Sequence, residues 1–137
     1  TAAQIWGITA DEYIQKADAW PLNPNGELLL GLKLEDKYAA ANADANLKIP
    51  GIAFAEWGPG DMSLSLGIPG RGAQAAPEMR VVRNKVFAAT KANKVFFLEG
   101  MNPQNIIAAI KEGVRVGPAN QEAAEIGRKF TKRQMPW

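Results

Sequence analysis

The chain has no cysteine and no histidine among its 137 residues. The first absence excludes a disulfide frame, a thiolate nucleophile and a zinc–thiolate site. The second removes the commonest general base. Acid–base or metal chemistry therefore falls to Asp, Glu, Lys, Tyr, water or a group from another chain. Long apolar runs are missing as well. None approaches the roughly 18 residues of a membrane span, so no membrane partner is expected. An excess of one charge is also lacking: 16 Lys and Arg against 14 Asp and Glu leave +2, with a pI near 9.0. That is too mild to argue for nucleic acid. Arg128, Lys129, Lys132 and Arg133 form a basic tail without interleaved aromatics, which reads as a solvated face or a subunit contact. No signal-peptide pattern follows Thr1, and a cytoplasmic location is expected. Thr1 is not an initiator methionine, which suggests a processed or partial product.

What is present is the composition of one globular domain: 47% apolar and 22% charged. Residues 1–27 read as a lead-in. Thr9 with Glu12 makes a capping box for a helix over 10–17, and a turn-rich loop follows from Trp20 to Gly26. Trp6 and Trp20 lack a local apolar face and are expected to pack on something larger. Residues 28–137 read as the body. Strands are predicted over 27–34, 52–57, 95–99 and 113–117, and helices over 38–47, 62–66, 77–91, from about 103, and over 122–131. Strict alternation of strand and helix implies parallel strands with right-handed crossovers.

One stretch organises the rest. An apolar strand enters Gly58-Pro59-Gly60, a breaker cluster that forces a tight turn, and Asp61 follows where a helix begins. Asp is a good N-cap. Carboxyl ends of parallel strands are also where α/β proteins bind ligands. Asp61 therefore has two readings, cap or ligand. Glu35 ends the preceding strand. Asp36 beside it suits the dipole of the next helix.

Leu34-Glu35-Asp36-Lys37-Tyr38, the Ile49-Pro50-Gly51 lead and the Gly58–Gly67 segment GPGDMSLSLG resemble the HpcH/HpaI aldolase and citrate lyase family. The resemblance covers roughly residues 27–130. Gly60 departs from it, since the family commonly has alanine there. It implies a TIM (β/α)8 barrel of which this chain is the C-terminal half, a (β/α)4 unit holding strands five to eight. A whole barrel takes eight units and about 250 residues. The histidine base, its partner acid and the arginine on the keto oxygen belong to the other half, so no catalytic residue is assigned in this chain.

The activity implied is a metal-dependent carbon–carbon lyase, a class II aldolase that cleaves a 2-keto-4-hydroxy acid to pyruvate and an aldehyde. Glu35 and Asp61 are the expected metal ligands, and Mg2+ or Mn2+ the expected metal, because both take oxygen donors and few carboxylates. The backbone N–H groups of Gly60 and Asp61 are the expected holders of the substrate carboxylate. Ser63 and Ser65 read as capping or solvating groups. Glu56 reads as a structural partner of Lys33, and Glu99 as a loop cap or a group touching the bowl. Arg71 reads as a solvated loop charge. The expected partners are a small keto acid and either a second copy in a homo-oligomer or the missing N-terminal half, with no nucleic acid. Met135-Pro136-Trp137 is expected at a chain-to-chain contact. Three other functions remain open: a non-catalytic half-barrel that serves assembly, a basic nucleic-acid-binding domain, and a lyase acting on an acyl-CoA thioester.

Overall fold

The computed structural model describes residues 1–70 and 72–133. Arg71 and the Met135-Pro136-Trp137 contact lie outside them. The chain opens with α1 (Ala2–Trp6) and α2 (Ala10–Lys16). The Thr9 box forms as expected: Thr9 Oγ1 accepts from Glu12 N, and Thr9 N donates to Glu12 Oε2. A small parallel ladder joins β1 (Ala19–Trp20) to β2 (Leu28–Leu29). The main sheet is β3 (Gly31–Lys33), β4 (Phe54–Glu56) and β5 (Phe96–Leu98), in that order and all parallel. Between its strands run α3 (Lys37–Ala41), α4 (Ala43–Leu47), α5 (Pro59–Ser65) and α6 (Pro77–Ala92). Beyond it lie α7 (Ile106–Glu112) and α8 (Gln121–Thr131).

Residues alternate across the three strands because strand side chains point to opposite faces. Ala55 and Phe97 face the helices and are fully buried with Leu34, Met62, Met79 and Val86. Burial of a side chain such as Phe97 contributes about 1.5–3 kcal/mol. Phe54, Glu56, Phe96 and Leu98 face the other way. The Phe54 ring crosses β3 at Gly31, where an added Cβ would fall within the ring. Trp20 stacks on Phe96 with centroids 6.0 Å apart and planes 4° apart, so this part of the lead-in packs on the sheet. Trp6 instead meets Tyr13 within the lead-in, at 5.3 Å.

Four expectations need correction. The strand over 27–34 is divided between two sheets, and Leu28, Leu29 and Leu30 are exposed rather than buried because no layer covers them. The helix over 38–47 breaks at Asn42, whose side-chain Nδ2 donates to Tyr38 O and closes the first segment. The fourth strand shrinks to one parallel bridge, Leu98 with Val116. Asp61 is not an N-cap: α5 starts at Pro59 with Gly58 as its cap. Pro at the first helical position moves the start three residues earlier. Among the described residues, no helix is long and apolar enough to cross a membrane.

Candidate metal centre at the strand ends

Parallel pairing brings the carboxyl ends of β3, β4 and β5 to one side of the sheet. On β3 the alternation sends Leu34 into the core at 2% exposure. It leaves Lys33 and Glu35 on the opposite, open face. Glu35 is wedged against the turn after β4. A Cβ on Gly58 would lie 2.7 Å from Glu35 Oε2 and would overlap Glu35 Cβ as well. Gly58 also has φ 49°, in the left-handed region. The breaker cluster thus serves two ends: it turns the chain, and it lets the Glu35 carboxylate lie against backbone.

Glu35 Oε2 is buried and accepts no aligned hydrogen bond. Lys33 Nζ stands 2.8 Å away, close enough for an ion pair but not in line as a donor. The Lys33 ammonium is therefore the cation that balances this buried carboxylate oxygen among the described residues. The Glu35 carboxylate, and after it Glu56 and Asp61, push the Lys33 ammonium above the usual lysine range.

Asp61 is the third residue of α5 and is exposed. Among the described residues no hydrogen bond or ion pair engages its carboxylate. The N–H groups of Gly60 and Asp61 lie in the first turn of α5, where helical backbone has no acceptor of its own. Ser63 is buried and donates to Gly60 O at 2.7 Å. Ser65 Oγ accepts from Lys37 N at 3.0 Å. Both serines therefore hold backbone, as expected. Asp36 caps α3, its Oδ1 accepting from Tyr38 N and Ala39 N.

A cavity of about 510 Å³ opens at the same strand ends, lined by Glu56, Trp57, Gln74, Leu98, Glu99 and Asn105 among others. Glu99 faces it already neutralised. Arg83 Nε donates to Glu99 Oε1 at 2.8 Å, and Arg83 Nη2 donates to Glu112 Oε2 at 2.8 Å. The guanidinium lies over the Phe87 and Phe97 rings. Arg83 holds the Glu112 carboxyl below its ordinary value, and the two carboxylates push the Arg83 guanidinium up. A second hollow, of about 430 Å³, lies between α7 and α8, and among the described residues no carboxylate lines it.

Glu35 and Asp61 follow neighbouring strands, on the side where the charges gather. Glu56 is the register partner of Lys33, yet the ion pair of Lys33 is with Glu35. Sequence reasoning missed Lys33 as part of this site. The signal was its place two residues before Glu35 on one strand, which puts both side chains on one face. It also missed Arg83, which has no local signature and is defined by residues 16 and 29 positions away.

Among the described residues, no group of three Asp or Glu side chains is placed to hold a metal ion. The fit of a divalent ion rests on two carboxylates. That suits Mg2+ or Mn2+, which keep several waters and accept substrate oxygens. The carboxylate oxygens of Glu35 and Asp61 are hard donors of the kind such an ion takes, with Lys33 as the present partner of Glu35.

No protein-family model matches the sequence, and no curated protein does. Solved structures do match. Macrophomate synthase superimposes with a TM-score of 0.63 at 21% identity, over 81% of this chain and 38% of its own. The chain shares the fold of the HpcH/HpaI aldolase and citrate lyase family. An HpcH/HpaI aldolase from Desulfitobacterium hafniense DCB-2 gives 0.57 at 24% identity, over 80% of this chain and 45% of its own. A family protein from Burkholderia cenocepacia J2315 gives 0.62 at 20% identity, over 96% of this chain and 48% of its own. The chain thus spans about half the length, or less, of these three structures.

Proposed function

We propose that this chain is the C-terminal half of a (β/α)8 barrel and carries the metal-binding carboxylates of a class II aldolase. The observation that carries this reading is Glu35. Its Oε2 is buried at a strand end next to the turn that leads to Asp61, balanced by Lys33 alone among the described residues, on a fold shared with aldolases. Glu35 and Asp61 would hold Mg2+ or Mn2+. When bound, the ion supplies Lewis acidity at a keto oxygen, which is what cleavage to an enolate requires. The N–H groups of Gly60 and Asp61 orient the substrate carboxylate, and Gly58 keeps Glu35 in place. The substrate class is a 2-keto-4-hydroxy acid, cleaved to pyruvate and an aldehyde. The histidine base that the family resemblance implies would come from the other half-barrel, since this chain has no histidine.

The open face of the sheet supports association. Phe96 is 39% exposed there, and Leu28, Leu29 and Leu30 are each more exposed still. A free sheet edge beside such side chains is a template for pairing. The occupant we propose is the other half-barrel or a second copy, and light scattering on the purified chain tests it: a stable monomer of 14.8 kDa counts against it. The activity is tested with the complete natural polypeptide. Cleavage of a 2-keto-4-hydroxy acid should be lost in a chelator and restored by Mg2+ or Mn2+. Undiminished cleavage in the chelator, or in the Asp61→Asn variant, removes the proposal.

A further inference from the structure

The carboxylate best placed for a metal already has a cation beside it. Lys33 Nζ lies 2.8 Å from Glu35 Oε2, the buried oxygen. That oxygen is packed against Gly58. A divalent ion on that oxygen would sit close beside the ammonium, and like charges there repel. Lys33 itself is not fixed, since its side chain is 56% exposed. Its register partner on β4 is Glu56, a second carboxylate on the same face. Among the described residues, no ion pair engages Glu56. An ammonium displaced from Glu35 therefore has another acceptor one strand away.

We propose that Lys33 is a tethered cation that competes with the divalent metal for Glu35, so that metal binding requires the ammonium to swing from Glu35 to Glu56. The inference rests on the metal reading above, and it assigns Lys33 a task that reading does not need. The ammonium neutralises Glu35 while no metal is bound. It keeps the affinity low enough for exchange, and it favours ions whose double charge outcompetes a single one.

The test is a Mn2+ titration of the complete natural polypeptide at one fixed pH, with free Mn2+ read by electron paramagnetic resonance. Lys33→Met removes the competitor and should tighten binding up to about fivefold, the scale of a partly screened ion pair. Lys33→Arg keeps the charge and should leave affinity close to wild type. Glu56→Gln removes the second acceptor and should weaken binding. In the Lys33→Met background Glu56→Gln should then have little effect; equal weakening by Glu56→Gln in both backgrounds is a plain field effect and overturns the proposal. Unchanged or weaker binding in Lys33→Met overturns the proposal. If wild-type binding is then still lost in Asp61→Asn, the metal reading stands without it. Absence of Mn2+ binding in both wild type and Lys33→Met overturns the two together.

Discussion

Neighbouring residues on the same strands meet opposite surroundings. Ala55 and Phe97 face the helices at 0% and 1% exposure, whereas Phe96, one residue earlier on β5, is 39% exposed. On the helix side the sheet is a finished core, closed by α4 and α6 and by residues such as Met79 and Val86. The open face holds Phe54, Phe96 and Leu98, crossed by Trp20, and at its carboxyl end Lys33, Glu35 and Glu56. One face holds the fold together. The other presents apolar surface along the strands and charge at their ends, the pattern of a sheet that needs another layer and binds a ligand at its rim. Stability and function thus draw on alternate residues of the same strands.

Four predictions press on that contrast. The largest effect is expected on the closed face. Phe97→Ala leaves a cavity beside Phe87 and should cost about 3–5 kcal/mol in urea titration. Phe96→Ala should cost about 1 kcal/mol, the scale of its stacking on Trp20. Equal costs for the two would break the comparison. The Phe96 value should rise once the open face is covered in the complete protein.

Next in size is Arg83, which ties Glu99 at the rim to Glu112 on α7. It is only 13% exposed. Arg83→Met strands two carboxylates and should cost about 2–3 kcal/mol, with little change in metal affinity. Gly58→Ala joins the two regions. Its left-handed backbone alone should cost about 1–2 kcal/mol. The new Cβ pushes Glu35 aside, so Mn2+ affinity should fall with it, and unchanged affinity would separate Gly58 from the site.

The smallest effect is on pH dependence. Arg83 lowers the Glu112 pKa in the folded state. Its contribution is fully present above the ordinary carboxylate value and is lost as pH falls through the lower folded one. Glu112→Gln should therefore flatten the acid limb of the stability curve. A steeper limb would contradict the pairing.

Much of the architecture was legible because it follows from period and punctuation. The apolar run before Gly58, the Thr9 capping box and the spacing of Met79, Val82, Val86 and Phe87 each specify a local element. The errors fall where tertiary context decides. The leucine run over 28–30 looks buried, yet no layer covers it. Asp61 looks like a cap, but Pro59 starts the helix first. The fourth strand needs a neighbour to extend, and only Val116 forms a bridge. Of the candidate site, the place of Glu35 just past β3 could be read from the motif, while Asp61 falls within the first turn of α5 rather than before it. The Lys33 pairing depended on which of two carboxylates is nearer in space. The Arg83 bridge spans residues far apart in the chain, beyond any local pattern.

The most direct test of the central claim is anomalous diffraction from crystals of the complete polypeptide grown with Mn2+. The account predicts one Mn2+ peak at the carboxyl ends of β3 and β4, with oxygens of both Glu35 and Asp61 in its coordination sphere at about 2.1 Å. A peak elsewhere, or one bound without either carboxylate, would contradict it.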